Sequence, residues 1–208
     1  MKKKNKKIVF SKIVLILLLL LVSIKTIHHY YIKNQQNKVV FQPNILKDGD
    51  LILRSGQSPE SYAVYLADNN SEFSHIGIIK VENNIPFVIH AVPHKLKTIK
   101  KETLEEFLKP KNASGYAIYR APLNQLQLNK IANEANTFYT KKLTFDNDFD
   151  LNTNNKLYCT ELVLKAYKNS GIDLKIQPKT FNYILGKHAI VYPSQFINES
   201  IFSKITIK

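Results

Sequence analysis

The sequence predicts an α+β domain in which a small antiparallel sheet packs against a cysteine-bearing helix, preceded by one apolar N-terminal helix. Three observations predict it. Phe73–Val81 and Phe87–Ala91 are rich in β-branched and aromatic residues and flank the turn-forming Glu82-Asn83-Asn84, so they read as a hairpin. Leu157–Gly171 has helical spacing around the single cysteine, Cys159. Ile13–Val22 is an unbroken apolar run.

That run comes first in the chain. Residues 1–40 hold nine lysines and no acid, so most of the net charge of +14 surrounds the apolar segment. The remainder of the chain keeps only +5, which argues for membrane targeting and against a nucleic-acid partner. A bilayer core needs about 20 helical residues, and Ile8–Ile27 reaches that length with Lys12 and Lys25 near its ends. No small-x-small cleavage site follows, and no cysteine precedes position 159, which excludes a lipoprotein signal. The reading is a basic cytoplasmic segment 1–12, a signal anchor (or a cleaved signal peptide) 13–27, a juxtamembrane stalk 28–43 and a folded domain 44–208. The lysines stay in the cytoplasm, and the domain lies outside it on a bacterial-type membrane.

Within the domain, Ser58–Ala67 is a short helix opened by Pro59. Lys95–Ile99 is strand-like, Thr103–Leu108 is helical and ends before Pro110, and Tyr116–Arg120 is a strand. Leu126–Tyr139 is a helix whose Leu128, Ile131, Ala135 and Phe138 form a core-facing stripe. Asp146–Asn155 is too turn-rich for helix, and Ala189–Tyr192 is strand-like before Pro193. There is no internal repeat, phosphate-binding glycine loop or clustered set of zinc ligands, so no metal or cofactor is expected.

The hairpin places two of the six histidines. A loop of even length puts His75 and His90 on one face, opposite or diagonal, roughly 5–7 Å apart. Asn83-Asn84 tolerates positive φ and favours the even case. Gly77 shares that face, where a helix end would approach the strand closely. His28 and His29 fall in the stalk, and His94 and His188 read as surface residues.

Cys159 falls in the first turn of its helix, where unpaired N–H groups and the positive dipole end favour a thiolate. Gly171 is a natural residue to follow that helix. A lone cysteine in an exported domain forms no internal disulfide, and its place outside the leucine-rich stretch marks it as a nucleophile rather than core. Asp50 reads as a turn residue before a strand, and Glu161 as a first-turn acid.

Asp48-Gly-Asp-Leu-Ile-Leu53, Phe73-Ser-His-Ile-Gly-Ile-Ile79, Val88-Ile-His-Ala91 and Tyr158-Cys-Thr-Glu-Leu-Val163 together resemble the circularly permuted papain-like hydrolases of the YiiX/YebB-type branch of the NlpC superfamily. The likeness covers about residues 45–191, and the histidine precedes the cysteine by 84 residues, as the permuted order requires. It implies a permuted papain-like fold over 44–208 and thiol chemistry at an amide or ester. Cys159 is then the nucleophile, His75 the base and His90 its orienting partner, with Tyr158 and Thr160 as oxyanion or pocket candidates beside the Cys159 N–H. Relatives often carry an acid where this chain has His90, and a protonated His90 would repel His75.

Three functions are expected. The first is a monomeric cell-envelope amidase or peptidase on a peptide-like substrate. The second is a lipid-directed acyl hydrolase or transferase, and the third an idle binding module. Pocket-lining residues are expected in loops such as Thr144–Lys156.

Overall fold

The computed structural model describes residues 45–69, 71–93, 99–183, 186–197 and 201–206, together with Leu20 and Ser23. The chain divides into two compact units, Met1–Val40 and Phe41–Lys208. In the first, only Leu20 and Ser23 are described, both helical. The rest of segment 13–27, the stalk, and His28, His29 and His94 lie outside the described residues. Among the described residues, no helix is long and apolar enough to cross a membrane.

In the second unit the elements run β1 (Leu51–Gly56), α1 (Pro59–Ala67), β2 (His75–Glu82), β3 (Ile85–Ala91), β4 (Ile99–Thr103), α2 (Leu104–Phe107) and β5 (Ala113–Arg120). There follow α3 (Gln125–Thr140), β6 (Thr144–Phe145), β7 (Lys156–Leu157), α4 (Cys159–Asn169), β8 (Lys179–Tyr183), β9 (Gly186–Ile190) and β10 (Ser203–Ile205). Six strands form one antiparallel sheet in the order β10-β5-β1-β2-β3-β4. The expected α+β architecture is therefore present.

Period-two alternation decides what each strand buries. Leu51, Leu53, Ile76, Ile78, Ile89 and Ala91 join one core with Leu128, Ile131, Ala135 and Phe138 of α3 and with Leu162, Val163, Ala166 and Tyr167 of α4. The opposite parity, Ile52, Ile79, Val88 and Ile118, is buried as well, so the centre of the sheet is covered on both faces. The buried Asp50 carboxylate accepts from Nε and Nη2 of Arg120 at 2.6 and 2.7 Å, and from the Lys47 N–H at 2.9 Å. That pairing fixes the entry to β1 and leaves Asp50 in a structural role.

The β2–β3 hairpin closes at Glu82↔Ile85, with Asn83 and Asn84 at φ 50° and 63°. Two consecutive left-handed residues match the twist of the flanking strands. This is the even loop, with its register set by Asn83-Asn84. Most of the strand expected at 95–99 lies outside the described residues; β4, described from Ile99 to Thr103, pairs with Phe87–Ala91. Likewise β9 ends at Ile190, where its pairing with β8 stops.

Helix α4 begins at Cys159, with the Glu161 carboxylate accepting from the Tyr158 N–H at 3.2 Å. It ends in a Schellman arrangement. Gly171, at φ 86°, donates its N–H to Lys168 O, and the Ile172 N–H reaches Tyr167 O.

Candidate active site

Continuing the β2–β3 register by one step sets His90 opposite Gly77, diagonal to His75 on the same face. The two rings meet edge to face, with His75 Nε2 2.8 Å from His90 Nδ1. Gly77 makes this possible for a reason other than the expected helix approach. A Cβ there would lie 2.6 Å from Val88 Cγ1 and 3.1 Å from His90 Cβ, so the missing side chain makes room on the neighbouring strand.

His90 Nε2 in turn lies 3.1 Å from Glu102 Oε1 on β4. Half-burial works against the charge on Glu102. The hydrogen bond from His90 and the cations Lys100 and Arg54 offset that cost and hold its pKa below the ordinary carboxylate value. Sequence reading missed Glu102, which fell between an expected strand and an expected helix. Only the β3–β4 register reveals it: on β4 it lies opposite Val88, one diagonal step from His90.

Beneath the pair lies Phe107 of α2, fully buried, with its ring centroid 4.9 Å from that of His90 and 5.9 Å from that of His75. Arg54, cross-strand partner of His75 on β1, lies over the same ring at 4.2 Å and donates from Nη1 to Phe107 O at 2.8 Å. Burial, then the nearby Arg54 charge, pushes the pKa of His75 well below 6.5. Burial likewise lowers that of His90 to about 4, although its hydrogen bond to Glu102 works the other way. Burial thus favours the neutral form of both imidazoles.

Cys159 opens α4 against the start of β2. Its sulfur is approached by the backbone N–H groups of Ile76, which immediately follows His75, and of Thr160 and Cys159 itself. These donors and Arg54 favour the thiolate, but burial outweighs them and pushes the thiol up to about 11. The expected resting thiolate is thus corrected. The helix start supplies donors, yet the sulfur is too desolvated to ionise unaided.

The hydroxyls of Tyr158 and Thr160 both engage the backbone of Val191. The Val191 N–H donates to Tyr158 Oη at 3.2 Å, and Thr160 Oγ1 donates to Val191 O at 2.6 Å. Both are buried and tie the start of α4 to the segment after β9. A groove of about 390 Å³ opens at the end of β1 beyond Arg54, lined by Ser55, Gly56, Tyr62, Tyr65 and Glu72 among others. Neither Cys159 nor His75 lines that groove, and loop 144–156 instead meets the start of α4 through Phe149, whose ring centroid is 5.3 Å from that of Tyr158.

A family model described as permuted papain-like amidase enzyme, YaeF/YiiX, matches residues 45–205. The chain belongs to this permuted papain-like amidase family. It is 27% identical over 124 residues to the uncharacterized protein YiiX of Escherichia coli strain K12, a stretch covering 59% of this chain and 57% of that relative's length. The crystal structure of metalloprotein yiiX from Escherichia coli O157:H7 is similar in fold. Its TM-score is 0.66 at 23% identity, over 79% of this chain and 98% of that one. Among the described residues, no group of three or more His, Cys, Asp or Glu side chains could hold a metal ion. His75 Nε2 faces His90 Nδ1, and His90 Nε2 faces Glu102.

Proposed function

We propose that this chain is a membrane-tethered cysteine amidase that cleaves peptide amides of the cell envelope, with Cys159 as nucleophile and His75 as base. The observation that supports the reading most is the chain His75–His90–Glu102, which engages His75 Nε2 at the start of β2, where the N–H of the next residue, Ile76, meets the Cys159 sulfur. Because the thiol is protonated at rest, proton removal accompanies attack: the Sγ–H proton passes to His75 Nδ1 as sulfur bonds to the carbonyl carbon. The backbone N–H of Cys159 meets the developing oxyanion. When the C–N bond breaks, His75 returns the proton to the departing amine, leaving a thioester. His75 then deprotonates a water that attacks the thioester, releasing the acid and restoring the thiol. The family favours the amide over the lipid-directed alternative, and the lysine-flanked segment 13–27 motivates the tether.

The test is release of new amines from cell-wall peptides by the full-length protein, compared with Cys159→Ala. Loss of turnover with an unchanged circular dichroism spectrum is expected, and wild-type turnover by the alanine variant overturns the reading. The tether is tested separately by fractionation. The full chain should sediment with membranes, and removal of residues 1–27 should release it; a full chain in the soluble fraction sinks the tether alone.

A further inference from the structure

Resting on the Cys159–His75 reading, we propose that Glu102 is a positioning residue that sets the tautomers of both histidines and thereby makes Nδ1 of His75 the base. An ionised carboxylate only accepts hydrogen bonds, and Glu102 Oε1 faces His90 Nε2 at 3.1 Å. The proton in that contact therefore sits on His90 Nε2. A neutral imidazole carries one N–H, so His90 Nδ1 holds a lone pair. That lone pair faces His75 Nε2 at 2.8 Å, which puts the proton of His75 on Nε2. Nδ1 of His75 is left with the lone pair that a base needs to take up the thiol proton.

The opposite arrangement fails on the same geometry. With the proton of His90 on Nδ1, its Nε2 lone pair would face the carboxylate, acceptor against acceptor. His75 would then accept at Nε2 and carry its proton on Nδ1, blocked as a base. A carboxylate two rings away thus decides which nitrogen of His75 is reactive. Neutrality of both rings is the condition for this logic. Arg54 from β1 and Lys100 from β4 lie near the pair and disfavour either imidazolium, while Phe107 of α2 covers it. As the thiol proton reaches Nδ1, the new positive charge on His75 is met through the His90 N–H by the negative charge on Glu102. No second proton needs to move.

Nitrogen-15 spectra of the histidine-labelled full-length protein test this directly, since the two ring nitrogens of each tautomer resonate far apart. The wild type should show His75 and His90 both protonated at Nε2. A wild type with His75 protonated at Nδ1 overturns the proposal without any substitution. Glu102→Ala should populate the other tautomer of both rings and slow acylation of Cys159 by p-nitrophenyl acetate, read as the nitrophenolate burst, by roughly 100-fold. That is less than the roughly 10⁴-fold that a wrong tautomer costs in a Ser-His-Asp triad. Glu102→Gln, which keeps a carbonyl acceptor, should restore the tautomers and part of the rate. Unchanged tautomers in Glu102→Ala overturn the proposal whatever the rate does. Shifted tautomers with an unchanged burst leave the control by Glu102 standing and remove His75 Nδ1 as the base.

Discussion

Gly77 and His90 occupy one shared space on adjacent strands: a Cβ on residue 77 would sit 3.1 Å from His90 Cβ, closer than side chains pack. The face of the sheet that carries His75 and His90 therefore depends on a glycine. Because Val88 Cγ1 would lie closer still, at 2.6 Å, relief requires movement of both neighbours.

Gly77→Ala is accordingly expected to destabilise the fold by about 1–3 kcal/mol, the usual cost of overpacking. This holds even though alanine restricts the unfolded chain and on that count stabilises. The displaced His90 should also slow the nitrophenolate burst. A variant that melts and reacts like the wild type would refute the shared-space account.

The Cys159 thiol, pushed up to about 11 by burial, predicts a particular alkylation profile. Only the thiolate reacts with iodoacetamide, so the rate should climb about tenfold per pH unit from pH 7 to pH 10. A preformed thiolate–imidazolium pair would instead give a plateau near neutrality. Following carbamidomethylation of Cys159 by mass spectrometry across that range separates the two.

Acid should destabilise the protein through its buried histidines. His90 binds its proton at about 4 in the folded state and at 6.5 when unfolded, so between those values the unfolded chain holds more protons. Its contribution is fully present above pH 6.5 and is lost as pH falls toward 4. At about 1.4 kcal/mol per pH unit it amounts to about 3 kcal/mol, with His75 acting in the same direction. Asp50 and Glu161, raised by burial, act in the opposite direction. Denaturant titrations at pH 7 and pH 5 should show a lower midpoint at pH 5, and His90→Phe should flatten the difference. Equal pH dependence in wild type and variant would remove His90 as the cause.

Much of the site was legible in the sequence because it rests on local rules. Asn83-Asn84 accepts two positive φ values, which makes the loop even and puts His75 and His90 on one face. The turn-rich stretch before Leu157 forces the helix to begin near Cys159, and Gly171 ends it. The stripe Leu128, Ile131, Ala135 and Phe138 is buried as its spacing requires. Glu102 was not legible, because its role depends on which strand β4 pairs with and in what register.

By itself, then, the sequence determined the place of Cys159 at a helix start and the shared face of the two histidines. Each follows from backbone preferences acting over a few residues. The tertiary structure alone decided the charge state of Cys159, the tautomer-setting contact between Glu102 and His90, and the diversion of Tyr158 and Thr160 to Val191. Those depend on desolvation and on hydrogen bonds between segments distant in the chain, and both arise only when the sheet and α4 close around the sulfur.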